Sequence, residues 1–155
     1  KSVKKIIYEK LKSSKLTVST AKSCTGGNIA HQLTLIPGIS DCFKGTVVAY
    51  HNELKINMLG VSAQDIEQYG AVSSQVATQM AEGARKVMQT DLAVATTGIA
   101  GPTGGTYEKP VGTIWISVSS PERTITRSFN FGQFARENFI ERSTMAALMM
   151  LNEMI

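Results

Sequence analysis

The chain is poor in the residues that build cross-links, metal centres and stacking platforms. Its 155 residues include two cysteines, Cys24 and Cys42, and no Cys-x-x-Cys pair. That excludes a disulfide framework and a cysteine-based zinc site, and it suits a reducing compartment. The two histidines, His31 and His51, are distant in sequence, so no metal or other cofactor is expected. One tryptophan and 6% aromatic content leave little for base stacking. No apolar run approaches the ~20 residues that cross a bilayer, and no secretory signal is visible. The chain opens on Lys1 rather than Met, so its natural start is expected upstream.

Charge of one sign does not dominate. The net charge is +4, with Lys1, Lys4, Lys5, Lys10, Lys12 and Lys15 crowded into the first helix. That cluster reads as a solvated face, and no nucleic-acid partner is expected. The mild positive field favours a small anionic substrate. Nucleotide motifs are missing as well. No glycine turn closes with Gly-Lys-Ser/Thr, and none matches G-x-G-x-x-G with a suitably placed acid.

What is present is one compact domain over residues 1–155, with 43% hydrophobic content and enough length to bury a core. Val3, Ile6, Ile7 and Leu11 recur at a helical period over Val3 to Lys12. Leu16 to Ser19 reads as a short strand, Asn28 to Leu35 as a helix stopped by Pro37-Gly38, and Thr46 to Tyr50 as a β-branched strand. Asn52 caps a short helix ending near Gly60, Ser62 opens another, and Ser73 or Ser74 caps a third that reaches Val87. Leu92 to Thr96 is a continuous apolar run, expected of a strand covered on both faces. A Gly/Pro-rich loop spans Gly98 to Pro110, followed by a hairpin of Thr113–Val118 against Thr124–Phe129 and a closing helix. Helices interspersed among strands imply α/β architecture: a central mixed sheet with helices on both faces.

The segment Ser19 to Gly27 links the first strand to the second helix and sets Ser23 at a helix N-terminus, where free N–H groups hold an anion. A hydroxyl nucleophile with oxyanion stabilisation beside it is the chemistry this implies. A second loop, Thr97 to Gly105, has more small residues than a turn needs and reads as backbone in contact with a ligand.

A serine needs a base. G-x-S-x-G is absent, and neither His31 nor His51 has an evident acid partner. Ser19-Thr20-Ala21-Lys22 spells Ser-x-x-Lys, but on a strand i and i+3 point to opposite faces. Lys55, in the first turn of a helix, sits where cations are disfavoured, and desolvation there moves it toward the neutral amine. Tyr50 stands ready to orient it. Composition alone reads Lys55 and Tyr50 as surface residues. Cys24 competes with Ser23 as a thiolate or is a small packing residue.

At these residues the chain resembles the CinA C-terminal domain family, which includes nicotinamide mononucleotide deamidase. Five ordered blocks across the whole chain carry the likeness. They are Ala21-Lys22-Ser23-Cys24-Thr25-Gly26-Gly27, Gly45 to Lys55 with Leu59-Gly60-Val61, Gly70-Ala71-Val72-Ser73 with Met80 to Ala84, Thr97 to Pro102 with Gly104-Gly105, and Lys109 to Thr113. At Lys22 the family usually carries Glu.

The resemblance implies a single-domain, three-layer α/β/α sandwich that hydrolyses the carboxamide of nicotinamide mononucleotide to nicotinate mononucleotide and ammonia without a metal. It implies Ser23 as nucleophile with Lys55 and Tyr50 assisting. Substrate contacts are then expected at Thr25, Gly26, Gly27, Thr97, Gly98, Gly101, Gly104, Gly105 and Lys109. Arg136 and Arg142 are further candidates for the phosphate. A cytoplasmic homodimer or higher homo-oligomer is implied too. The alternative is a catalytically impaired homologue that binds nucleotide or acts in competence and damage responses.

Overall fold

A computed structural model describes residues 2–23, 27–132 and 135–155. Five strands form one sheet in the order β2-β1-β3-β4-β5. Strands β1 (Val18–Lys22), β2 (Phe43–Val48) and β3 (Leu92–Gly98) run parallel, whereas β4 (Thr113–Ser119) and β5 (Thr124–Asn130) form an antiparallel hairpin beside β3. The sheet is therefore mixed, with β1 and β3 at its centre.

Helices cover both faces. On one side α1 (Val3–Ser14), α2 (Asn28–Thr34) and α6 (Arg136–Glu153) bury Ile7, Leu33, Phe139 and Leu148 against Val18, Val94 and Ile116. On the other, α3 (Asn52–Leu59), α4 (Ala63–Tyr69) and α5 (Ser74–Met88) pack Leu59, Ile66, Val76 and Met80 over Ala21, Val47, Ala93 and Ala95. The small side chains on that second face let α5 lie close to the strands. This is the three-layer α/β/α architecture the sequence implied.

Local chemistry fixes the helix ends. Ser2, Ser62 and Ser73 accept from the backbone N–H three residues on, and Gly60 closes α3 in the left-handed region at φ 72°. Gly83 has a different reason to be glycine: a Cβ there would stand 1.9 Å from the Leu59 carbonyl oxygen. The close packing of α3 on α5 depends on that missing atom.

Several boundaries differ from the sequence reading, most of all in β1, β2 and the start of α3. Strand β1 begins at Val18 and continues to Lys22, because it is paired on both sides and all five of its residues are buried. Strand β2 starts at Phe43 rather than Thr46 and ends at Val48, and His51 rather than Asn52 occupies the N-cap of α3. Sheet pairing, not the local run of β-branched residues, set the limits of the two strands.

Candidate active site

The parallel strands β1 and β3 end side by side, and the chain leaves them by different routes. Such a break in an open α/β sheet leaves a crevice beyond the strand ends. Ser23 follows β1 directly, and its N–H donates to the Thr96 carbonyl at 3.2 Å. It therefore belongs to the strand end; α2 starts only at Asn28, with Gly27 as N-cap. This corrects its expected place at the helix N-terminus: two-sided pairing carries β1 up to Ser23. Cys24, Thr25 and Gly26 lie outside the described residues.

Strand alternation sends Ser19, Ala21 and Ser23 toward α5 and sends Val18, Thr20 and Lys22 toward α2 and α6. Ser19 Oγ lies 2.8 Å from Thr90 Oγ1, on the α5 side, so the Ser19/Lys22 pair is indeed split across the sheet. Lys22 is fully buried.

Ser23 lines a cavity of about 280 Å³ together with Tyr50, Lys55, Thr97 and the Gly98–Gly104 loop. Its hydroxyl donates to Thr97 Oγ1 at 3.4 Å, and Thr97 donates on to the Ala71 carbonyl at 2.9 Å. Lys55 reaches the same cavity from α3. Only 2% of it is exposed, and Nζ donates to the carbonyls of Ala49 at 2.9 Å and Tyr50 at 3.3 Å. The residues that anchor the amine thus belong to the chain that leaves β2. Ala49 ties both sides together, since its own N–H donates to the Lys22 carbonyl at 2.8 Å.

Tyr50 is more than half exposed, at the cavity mouth, and its hydroxyl accepts from Arg136 Nη2 at 2.7 Å. Arg136 Nη1 donates to the Gly101 carbonyl at 2.9 Å. One guanidinium at the start of α6 thereby joins the β2–α3 connection to the glycine loop. Sequence analysis left Arg136 undistinguished from Arg142. Only coordinates reveal this contact, because Tyr50 and Arg136 are far apart in the chain.

The cavity is lined by Lys55 and Arg136 and by no acidic residue among those described. Thr97, Gly98, Gly101 and Gly104 line it as expected. A Cβ on Gly98 would meet the Thr113 carbonyl at 2.8 Å, so glycine lets the loop leave β3 against β4. Gly105 lines an adjoining depression that shares Thr103 and Gly104 with the cavity. Lys109 donates to the Tyr69 carbonyl, and neither it, Gly27 nor Arg142 lines the cavity. His31 and His51 are exposed and do not line it either. Among the described residues no group of three or more His, Cys, Asp or Glu is placed to hold a metal. Cys42 is buried, and that burial, aided by Asp41, pushes its thiol above the ordinary range.

Fold and site together define an open-sheet α/β domain whose polar, basic crevice is built at the ends of its parallel strands. A family model, the CinA C-terminal domain, matches residues 1–155, and the chain belongs to that family. It is 46% identical over 151 residues to a CinA-like protein of Fervidobacterium nodosum, covering 97% of this chain and 37% of that protein. A CinA-like protein of Dictyoglomus thermophilum is 51% identical over 117 residues, covering 76% and 28%. The chain thus spans about a third of the length of these relatives. Among solved structures, the competence/damage inducible protein CihA of Agrobacterium tumefaciens superposes with a TM-score of 0.94 at 39% identity, over 96% of this chain and 91% of that one. A competence or damage-inducible protein of Enterobacter asburiae gives a TM-score of 0.93 at 30% identity, over 97% and 94%. Among the described residues no helix is long and apolar enough to cross a membrane.

Proposed function

We propose that the chain is a serine amidohydrolase that converts nicotinamide mononucleotide to nicotinate mononucleotide and ammonia. The observation that carries this reading is the convergence of Ser23 and Lys55 on one cavity that Arg136 also lines and that has no acid among the described residues. A basic crevice suits a phosphorylated substrate.

The surroundings of Lys55 favour a base. Burial disfavours the ammonium form. A neutral amine has two N–H donors and one lone pair. The carbonyls of Ala49 and Tyr50 accept from Nζ and hold it at the wall of the cavity that Ser23 also lines. The long bond from Ser23 to Thr97 is weak and easily exchanged for one to Lys55.

Ser23 Oγ attacks the carboxamide carbon as its proton passes to Lys55 Nζ. That proton then goes to the departing nitrogen, the carbon–nitrogen bond breaks, and ammonia leaves an acyl-serine. Water, deprotonated by the same amine, attacks the ester and releases the carboxylate product and Ser23. Arg136 retains N–H donors beyond the two it gives to Tyr50 and Gly101, and it meets the substrate phosphate.

A second reading, nucleotide binding without turnover, is favoured by Lys22, which precedes Ser23 in the chain where the family usually carries Glu and is fully buried on the other face of the sheet. Ammonia release from nicotinamide mononucleotide, measured on the natural chain and Lys22→Glu in parallel, separates the two. Release by the natural chain supports the amidase. Release only by Lys22→Glu supports the binding role. Intact substrate with both proteins ends the amidase reading.

A further inference from the structure

Residues of α1, α2 and α6 line a cleft of about 510 Å³ that shares no lining residue with the Ser23 cavity. Its apolar lining is Val3, Met145 and Leu148, the last fully buried. A cleft this large with mostly apolar walls and a few polar groups has the make-up of a small-molecule site.

Two opposite charges stand on those walls. Lys4, on α1, donates to Gln32 Oε1 at 2.9 Å and forms no ion pair among the described residues. Glu141, on α6, forms none either among the described residues. Neither charge has a counterion among the described residues, and they are not paired with each other. A ligand carrying only one charge would satisfy one wall and face a like charge on the other. A ligand with an ammonium, a carboxylate and an apolar body satisfies both walls and the lining at once. We propose that this cleft binds a small hydrophobic zwitterion of the α-amino acid class, with its ammonium toward Glu141, its carboxylate toward Lys4 and its side chain on Leu148 and Met145.

Calorimetry on the 155-residue chain tests this with three probes of one shape: L-phenylalanine, phenethylamine and 3-phenylpropionate. Phenylalanine is expected to saturate one site. Each singly charged analogue should bind about tenfold more weakly, the effect of losing one charge-assisted hydrogen bond. Glu141→Gln should remove the preference over 3-phenylpropionate, and Lys4→Met the preference over phenethylamine. Met145→Trp, a rim substitution that fills the cleft, should abolish binding of all three. Melting curves verify that each variant is folded. Equal affinity for the three probes, binding unchanged by all three substitutions, or no saturable binding of phenylalanine overturns the proposal. Ammonia release is a separate measurement, and no residue altered here lines the Ser23 cavity.

Discussion

Arg136 Nη2 donates to the Tyr50 hydroxyl at 2.7 Å, which makes the first residue of α6 part of the wall opposite β2. The same guanidinium holds the Gly101 carbonyl, so its planar fork is used in two directions. Arg136→Lys keeps the charge but not the fork. If Arg136 also meets the substrate phosphate, Arg136→Lys should raise KM about tenfold and Arg136→Met more. Tyr50→Phe combined with Arg136→Met should cost less than the two single losses multiplied, because both break one shared contact. Steady-state kinetics on the four proteins of that cycle provides the check.

Removal of the proposed nucleophile or base should abolish the reaction while leaving the fold. Ser23→Ala and Lys55→Met are each expected to lower kcat by at least about a thousandfold. The double variant should be no worse than either single one, since the two groups act as a unit. Lys55→Met retains the buried volume but leaves the Ala49 and Tyr50 carbonyls without their donor, so a fall of a few degrees in melting temperature is expected with the fold retained.

Thr97→Val removes the hydroxyl that accepts from Ser23 and donates to Ala71. Ala71 then loses that hydrogen bond and Ser23 loses its resting partner. The expected destabilisation is about 1 kcal/mol. Turnover should change by less than about tenfold, because Thr97 orients Ser23 without taking its proton. A large loss of kcat with unchanged stability would give Thr97 a direct chemical role instead.

Gly83→Ala puts a methyl group into the Leu59 carbonyl, 1.9 Å from its oxygen. Backbone cannot rotate away as a side chain can, so α3 and α5 must separate. A loss of about 3 kcal/mol is expected, seen as a fall of roughly 10 °C in melting temperature. Because α3 carries Lys55, activity should fall further than the unfolded fraction alone explains.

The raised Cys42 thiol links stability to alkaline pH. Its folded form holds the proton above the range in which the unfolded thiol, near pH 8.5, has lost it. Stability from this group is therefore complete below about pH 8 and declines as pH rises beyond that. Denaturant titrations from pH 7.5 to about pH 9.5 should show a shallower decline in Cys42→Ala, and alkylation of Cys42 in the folded chain should be slow.

Much of the architecture was legible because it rests on local signals. Helix caps at Ser62 and Ser73, the stop at Gly60 and the apolar run Leu92–Thr96 each announced an element found in place. The ends of β1 and β2 were not legible, since partners far along the chain decide them. Composition alone treated Lys55 as an ordinary surface charge. It is buried, and the carbonyls of Ala49 and Tyr50 make that tolerable. Helix position raised Lys55 and Tyr50 as a candidate pair and the family resemblance favoured them, whereas their meeting with Ser23 in one cavity is a matter of tertiary geometry. The role of Arg136 as a strut had no local signal at all.

The backbone of Ala49 has one further consequence. It grips the strand end next to Ser23 through its N–H and the Lys55 amine through its oxygen. These two groups belong to successive planar peptide units joined at one Cα, so a single residue couples the end of β1 to the buried amine. A shift of β2 against β1 reaches Ser23 and Lys55 through the same residue, a tie that a site assembled from independent loops would lack.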